Sequence, residues 1–179
     1  MSAKYNTQNQ VLLDNLLLFY NPKNLDKVIN IINGKSKISL RLIDWFVTNY
    51  AKKHFIIYNV IENGEKKRFK VYQDYKLKLK AYSKKRFDPF CRWSRITIPY
   101  KNDTYIETTI GQLNFFRWYI QNDIYKYIKQ YYQEIENDMN KRNTYQKNDK
   151  NTKKKRKELS ICATKTIKKE NVEITLQFL

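Results

Sequence analysis

The spacing of apolar residues changes along the chain, from a period of three to four to strict alternation and back. From Gln8 the run VLLDNLLLFY predicts a short apolar helix that ends before Pro22, because proline cannot continue it. Asn24 is placed to cap a second helix, LDKVINII, closed by Asn33-Gly34. Ser39 caps a third, in which Leu40, Ile43, Phe46, Val47, Tyr50 and Ala51 recur at helical spacing. HFIIYNVIENGEKKRFKVY then reads as a strand, an Asn63-Gly64 turn and a second strand from about Lys67. Asn-Gly suits the left-handed backbone that a two-residue hairpin needs. Tyr72 to Lys85 predicts a helix with Leu77, Leu79, Ala81 and Tyr82 turned toward the protein. SRITIPY and DTYIET predict two more strands, joined at Lys101-Asn102. Thr109 opens one long amphipathic helix, with Thr109 to Gln112 as a capping box. Leu113, Phe116, Ile120, Ile124, Tyr127, Tyr131, Ile135 and Met139 hold a single stripe for about eight turns.

After Met139 the pattern stops. KRNTYQKNDKNTKKKRK has no periodicity and almost no apolar residue, so residues 140–158 read as a basic flexible linker. Two alternating runs follow, LSICATKTI and VEITLQF, with Lys168-Lys169-Glu170-Asn171 between them. They predict a C-terminal β-hairpin over 159–179, which either completes the main sheet or adds to a partner's edge. The fold class expected is α+β, in one domain over residues 1–139. It has N-terminal helices, a small antiparallel sheet built from hairpins, and the long helix.

Charge changes this picture more than size does. The 179 residues carry a net charge of +19, with 36 Lys and Arg against 17 Asp and Glu, and aromatics make up 15%. The abundance of Lys, Asn, Ile, Tyr and Phe suggests an AT-rich coding sequence, which favours Lys over Arg. AT-rich codons also serve Asp and Glu, so codon bias does not account for the excess of positive charge. A polyanionic partner does, with nucleic acid ahead of an anionic membrane surface or an acidic protein. No apolar run reaches the roughly 18 residues of a membrane span, and MSAKYNTQNQ has no signal-peptide core. A protein without a transmembrane segment, and not secreted, is expected. Cys91, Cys162 and the lone His54 cannot supply a four-ligand zinc site. No cofactor is expected.

The candidate chemistry concentrates in YKLKLKAYSKKRFDPFCRWSR, Tyr75 to Arg95, with eight Lys or Arg and one acid, Asp88. Asp88-Pro89 is a turn signal, so the second half of the stretch is expected to be a loop. Lys84, Lys85, Arg86, Arg92 and Arg95 form a candidate phosphate-contacting face there. Phe90 and Trp93 are candidate stackers for bases. The competing reading has Phe87, Phe90 and Trp93 packed inward as loop anchors, which leaves the cations as the site. A second candidate is Lys153, Lys154, Lys155, Arg156 and Lys157, read as a mobile polyanion-binding arm. Their spacing from Lys141-Arg142 also fits a bipartite nuclear-import signal.

Other chemistry finds less in the sequence. A helix-turn-helix across GKSKI would need polar residues where Trp45, Phe46 and Val47 stand, so a core helix is the better reading. No phosphate loop, nucleophile elbow or zinc-protease motif is present. A Cys91–His54 pair, or Mg²⁺ on Asp74, Asp88, Asp103 and Glu107, has no local support. The acids are scattered, mostly among turn residues. The chain reads as a nonenzymatic binder.

Four blocks carry a family resemblance: SLRLIDWFVTNYAKK from Ser39, LKAYSKKRFDPFCRWSRI from Leu79, ETTIGQLNFFRWYI from Glu107, and KRKELSICATKT from Lys155. They resemble an uncharacterised protein of giant nucleocytoplasmic DNA viruses. The resemblance supplies no catalytic residue. It implies a viral product acting in the infected cell, in a cytoplasmic viral factory or the nucleus, and in the virion as a further setting. With the charge, it makes viral DNA the expected partner, in genome packaging, replication or transcription. Viral proteins are expected partners through the C-terminal hairpin. The alternative is a virion or assembly protein whose basic surface meets acidic protein or membrane.

Overall fold

A computed structural model describes residues 8–62, 64–101, 104–148 and 168–170. The chain begins with helices α1 (Gln8–Phe19), α2 (Pro22–Ile32) and α3 (Leu40–Trp45). A π-helical turn over Phe46–Tyr50 joins α3 to the short α4 (Ala51–Lys53). Strands β1 (Ile57–Glu62) and β2 (Glu65–Lys70) pair antiparallel, with Glu62 opposite Glu65 around the two-residue turn. Gly64 has φ of +86°, a conformation that costs glycine nothing. Helix α5 (Val71–Arg86) follows, then β3 (Arg95–Pro99) and β4 (Tyr105–Thr109), paired antiparallel. The chain continues through α6 (Ile110–Gln121), α7 (Ile124–Gln130) and α8 (Tyr132–Asn148). Strand β5 (Lys168–Glu170) lies antiparallel on β4, giving a three-stranded sheet beside the two-stranded hairpin. The class is α+β.

Helix α6 is the centre of the fold. It packs against α1, α5, α7 and β4, and buries Leu113, Phe115, Phe116, Trp118 and Tyr119 on all sides. A helix that is hydrophobic all round belongs in the interior. Its start is set by the strand before it: Thr109 ends β4 in extended conformation and its Oγ1 accepts the Gln112 N–H at 3.2 Å. The Gln112 side chain reaches the Thr108 hydroxyl and the Pro89 carbonyl. Ser39 caps α3 as expected, by accepting from the Leu42 N–H. The stripe of that helix, Leu40 to Ala51, is buried.

Five expectations are corrected. Helix α2 is capped by Asn21, not Asn24: the Asn21 side chain accepts the Asn24 N–H, and Pro22 takes the first helical position. Proline suits that place because its missing N–H would have had no partner there. The long helix is three helices. Asn122 closes α6, and Asp123 adopts left-handed φ of +53°, a region Asp and Asn enter more readily than other side chains. The freed Asn122 carbonyl accepts the Tyr58 hydroxyl at 2.8 Å, which ties β1 to the break. The stripe survives the interruption, since Leu113, Phe116, Ile124, Ile128 and Ile135 are all within 1% of fully buried. In α5 the buried face is Val71 and Tyr75, with Leu79 and Tyr82 half-buried, while Leu77 is 65% exposed and Ala81 is in water. Lys168 to Glu170, expected within a turn, form β5. Residues 140–148, expected as flexible linker, instead continue helix α8 to Asn148. The rest of the C-terminal hairpin and residues 149–158 of the linker lie outside the described residues.

Candidate nucleic-acid interface

The segment from Ser83 to Ser94 leaves α5 and returns to β3 along the start of α6. Ser83, at φ of +61°, kinks α5 before its last turn, Lys84 to Arg86, and Ser94, at φ of +51°, leads into β3. Between them the loop is fastened to α6. Asn114 donates to the Arg86 carbonyl at 2.9 Å, and Gln112 donates to the Pro89 carbonyl at 3.1 Å. The Thr109 hydroxyl reaches the Cys91 carbonyl at 3.4 Å, and the Asp88 N–H donates to the Gly111 carbonyl at 3.2 Å. Asp88 makes a local turn by accepting the Phe90 N–H at 2.8 Å. Gly111 is a close-approach position. A Cβ there would lie 2.9 Å from the Cys91 Cβ and 3.0 Å from the Lys85 carbonyl oxygen.

This fastening decides which rings face inward. Phe87 is 1% exposed, among Tyr75, Tyr82, Phe115 and Trp118, with ring centroids 5.4 to 6.2 Å apart. Phe90 is half-buried. Trp93 stands out at 74% exposed. The loop-anchor reading therefore holds for Phe87 and fails for Trp93.

The cations divide as well. Lys84, Lys85 and Arg92 are exposed. Arg86 is half-buried and donates to the Gln8 side chain of α1 at 3.2 Å. Arg95 pairs with Glu107 of the neighbouring strand at 2.9 Å. Such a surface pair is worth roughly 0–1 kcal/mol, so a phosphate can compete for Arg95. Burial raises the Asp44 carboxyl to about 6; the nearby Asp88 adds to the rise and Lys84 opposes it. Asp88 is raised by burial too, against the Phe90 N–H and Lys84. Lys153, Lys154, Lys155, Arg156 and Lys157 lie outside the described residues.

The scattered acids have structural partners. Asp74 accepts the Trp118 indole N–H at 2.5 Å, and Glu107 holds Arg95. Asp103 is outside the described residues. The His54 ring packs tilted against Tyr50, centroids 4.3 Å apart, whereas Cys91 is buried with its thiol toward the Lys85 carbonyl.

A second basic and aromatic surface was not singled out from the sequence. Trp45, Phe55 and Tyr72 border a cavity of about 700 Å³ that Asp138, Lys141 and Arg142 of α8 also line. A neighbouring cavity of about 420 Å³ shares Lys52, Phe55 and Tyr72 and continues to Lys70 and Lys76. Arg142 lies over the Trp45 ring at 5.4 Å, and Lys52 and Lys76 flank the Tyr72 ring at 5.8 and 5.7 Å. Asp138 is the acid of this lining, bound to the Lys53 ammonium and the Trp45 indole N–H. Burial pushes its carboxyl up, but those two hydrogen bonds outweigh it and hold the group below the usual range. The local signal was Lys52-Lys53-His54-Phe55, which reads as a helix end running into a strand. Trp45, Tyr72 and Arg142 come from other elements, so no window of sequence contains the groove.

The fold and these surfaces describe a small α+β protein with cations and aromatic rings displayed together. The chain belongs to a family of unknown function, DUF7197, whose model matches residues 1–177. It is 47% identical over 117 residues to an uncharacterised protein of Acanthamoeba polyphaga mimivirus. That match covers 63% of this chain and 45% of the relative, so it spans less than half of the viral protein's length. The giant-virus resemblance read from the four sequence blocks is thus borne out. No solved structure matches. Among the described residues, no helix is long and apolar enough to cross a membrane.

Proposed function

We propose that this protein binds nucleic acid without catalysing a reaction, through phosphate contacts made by Lys84, Lys85 and Arg92, with Arg95 joining by exchange from Glu107. The observation that carries the reading is Trp93, 74% exposed beside Arg92 on a loop whose backbone is fastened to α6. A held loop presents cations with less ordering cost than a mobile one. An exposed indole beside them gives an unpaired base a face to stack on. The ligand proposed is viral DNA in the infected cell, in a viral factory or the nucleus, during genome packaging, replication or transcription. Lys153, Lys154, Lys155, Arg156 and Lys157 act as an accessory arm, and the C-terminal strand region meets viral proteins.

The test is binding of the full chain to duplex DNA, single-stranded DNA and anionic vesicles across a salt series. Exchange of Lys84, Lys85 and Arg92 together for Glu should abolish duplex binding at about 100 mM salt and flatten the salt dependence, because fewer counterions are released. The melting temperature should stay within a few degrees, since all three side chains are in solvent. Undiminished duplex affinity, or binding to vesicles alone, would point instead to a virion or assembly protein on a membrane or acidic surface.

A further inference from the structure

We propose that the groove around Phe55 is a separate site for the unpaired bases of single-stranded nucleic acid, with Phe55 as the stacking platform. The inference deepens the nucleic-acid reading by naming a second surface and the form of ligand it takes.

The carrying observation is the conformation of Phe55. Helix α4 ends with the Ile56 N–H bonded to the Ala51 carbonyl at 3.2 Å, and Phe55 sits between them at φ of +51°. This is the arrangement in which helices usually place glycine, because a left-handed residue with a Cβ is strained. Here the position carries a phenylalanine that is 83% exposed. A bulky residue at positive φ is a local outlier, and such outliers concentrate at binding sites. A hydrophobic ring held in water by its own backbone gains nothing for the fold.

The surroundings specify the ligand. Phe55 lines both cavities, together with Lys52 and Tyr72; their volumes of about 700 and 420 Å³ are each in the size range of small-molecule sites. Lys52, Lys70 and Lys76 line the smaller cavity, and Lys52, Lys53, Lys141 and Arg142 the larger. The Asp138 carboxylate among them is already neutralised by Lys53. The groove therefore offers an exposed ring shared by two cavities that are both lined by cations, which matches bases stacked in succession with phosphates running past them. A duplex hides its base faces and cannot use the ring. An acidic peptide would use the cations and leave Phe55 in water.

The experiment measures binding of a labelled oligothymidylate and of a DNA duplex by fluorescence anisotropy, on full-length wild type, Phe55→Gly, Phe55→Trp and Lys85→Glu/Arg92→Glu. Glycine fits the left-handed position, so Phe55→Gly removes the ring while keeping or raising the melting temperature. It should weaken oligothymidylate binding by roughly 5- to 150-fold and duplex binding by less than about twofold. Phe55→Trp should restore single-strand affinity. The Lys85→Glu/Arg92→Glu variant should lose duplex affinity, which tests the loop reading apart from the groove. An unchanged single-strand affinity in Phe55→Gly, or equal losses on both ligands, overturns the groove. Wild type that binds duplex alone overturns it and leaves the loop reading standing. Wild type that binds neither nucleic acid overturns both. Displacement of the oligothymidylate by polyglutamate at equal charge concentration, undiminished in Phe55→Gly, would reassign the groove to acidic peptide.

Discussion

The loop from Ser83 to Ser94 and the groove around Phe55 both combine aromatic rings with cations, and they are built in opposite ways. The loop is one contiguous stretch whose composition advertises it, yet Phe87 is committed to the core and Arg86 and Arg95 already have partners inside the protein. The groove is assembled from α3, the end of α4, α5 and α8, and its central ring stands in water. Density of cations and rings along a sequence therefore measures how strongly a surface attracts polyanions. It does not say which rings are available. Availability is decided by where the backbone is fastened: by hydrogen bonds from Thr109, Gln112 and Asn114 in the loop, and by a left-handed helix end at Phe55.

The contrast between anchor and display should be largest in stability. Phe87→Ala removes a ring in contact with Tyr75, Tyr82, Phe115 and Trp118. It is expected to cost about 3–5 kcal/mol by denaturant unfolding. A cost under about 1 kcal/mol would mean that the loop is not moored through this residue.

Asp44 and Trp45 connect the two regions, since Asp44 feels Asp88 and Lys84 of the loop while Trp45 lines the groove. The Asp44 carboxyl is raised from 3.8 to about 6, first by burial and then by Asp88. A carboxyl whose pKa is higher in the folded state is penalised once it ionises. Its contribution to stability therefore falls as pH rises from about 4 to about 6 and is flat above. The full difference is up to about 3 kcal/mol at 1.36 kcal/mol per pH unit. Asp44→Asn should be more stable than wild type at pH 7 and should lose that slope, as read by melting temperature across this range. An unchanged slope would place the charge of Asp44 in water.

Gly111→Ala forces a Cβ against the Cys91 side chain and the Lys85 carbonyl. Because backbone cannot yield as a side-chain tip can, about 1–3 kcal/mol is expected. Loop-dependent duplex binding should fall with it, while single-strand binding at Phe55 should persist. Loss of both would show that the two surfaces are coupled. The smallest effect belongs to Trp93→Ala, which should change stability by no more than about 0.5 kcal/mol because the ring is already exposed. Its consequence should appear in single-strand affinity alone.

Much of the architecture was legible from periodicity. The first helix, the Ser39 cap, the Asn63-Gly64 hairpin, the β3–β4 pair and the start of α6 at Thr109 all follow from local chemistry: a capping oxygen, a turn residue, an alternating run. The apolar stripe from Leu113 to Met139 was legible too, though not its division into three helices. That division rests on Asn122 and Asp123, whose preference for leaving a helix is weak until the Tyr58 hydroxyl, from another element, donates to the freed Asn122 carbonyl.

The sequence by itself determined the family, the α+β class and a surplus of positive charge, because each is a sum over many residues and survives local error. Which aromatic side chains meet solvent was decided only by the tertiary structure. A ring beside cations gains by burial wherever a neighbouring element leaves room for it. For Phe87 that room lies beside Phe115 and Trp118 of α6. For Trp93 and Phe55, left-handed backbone at Ser94 and at Phe55 itself accompanies side chains that remain in water.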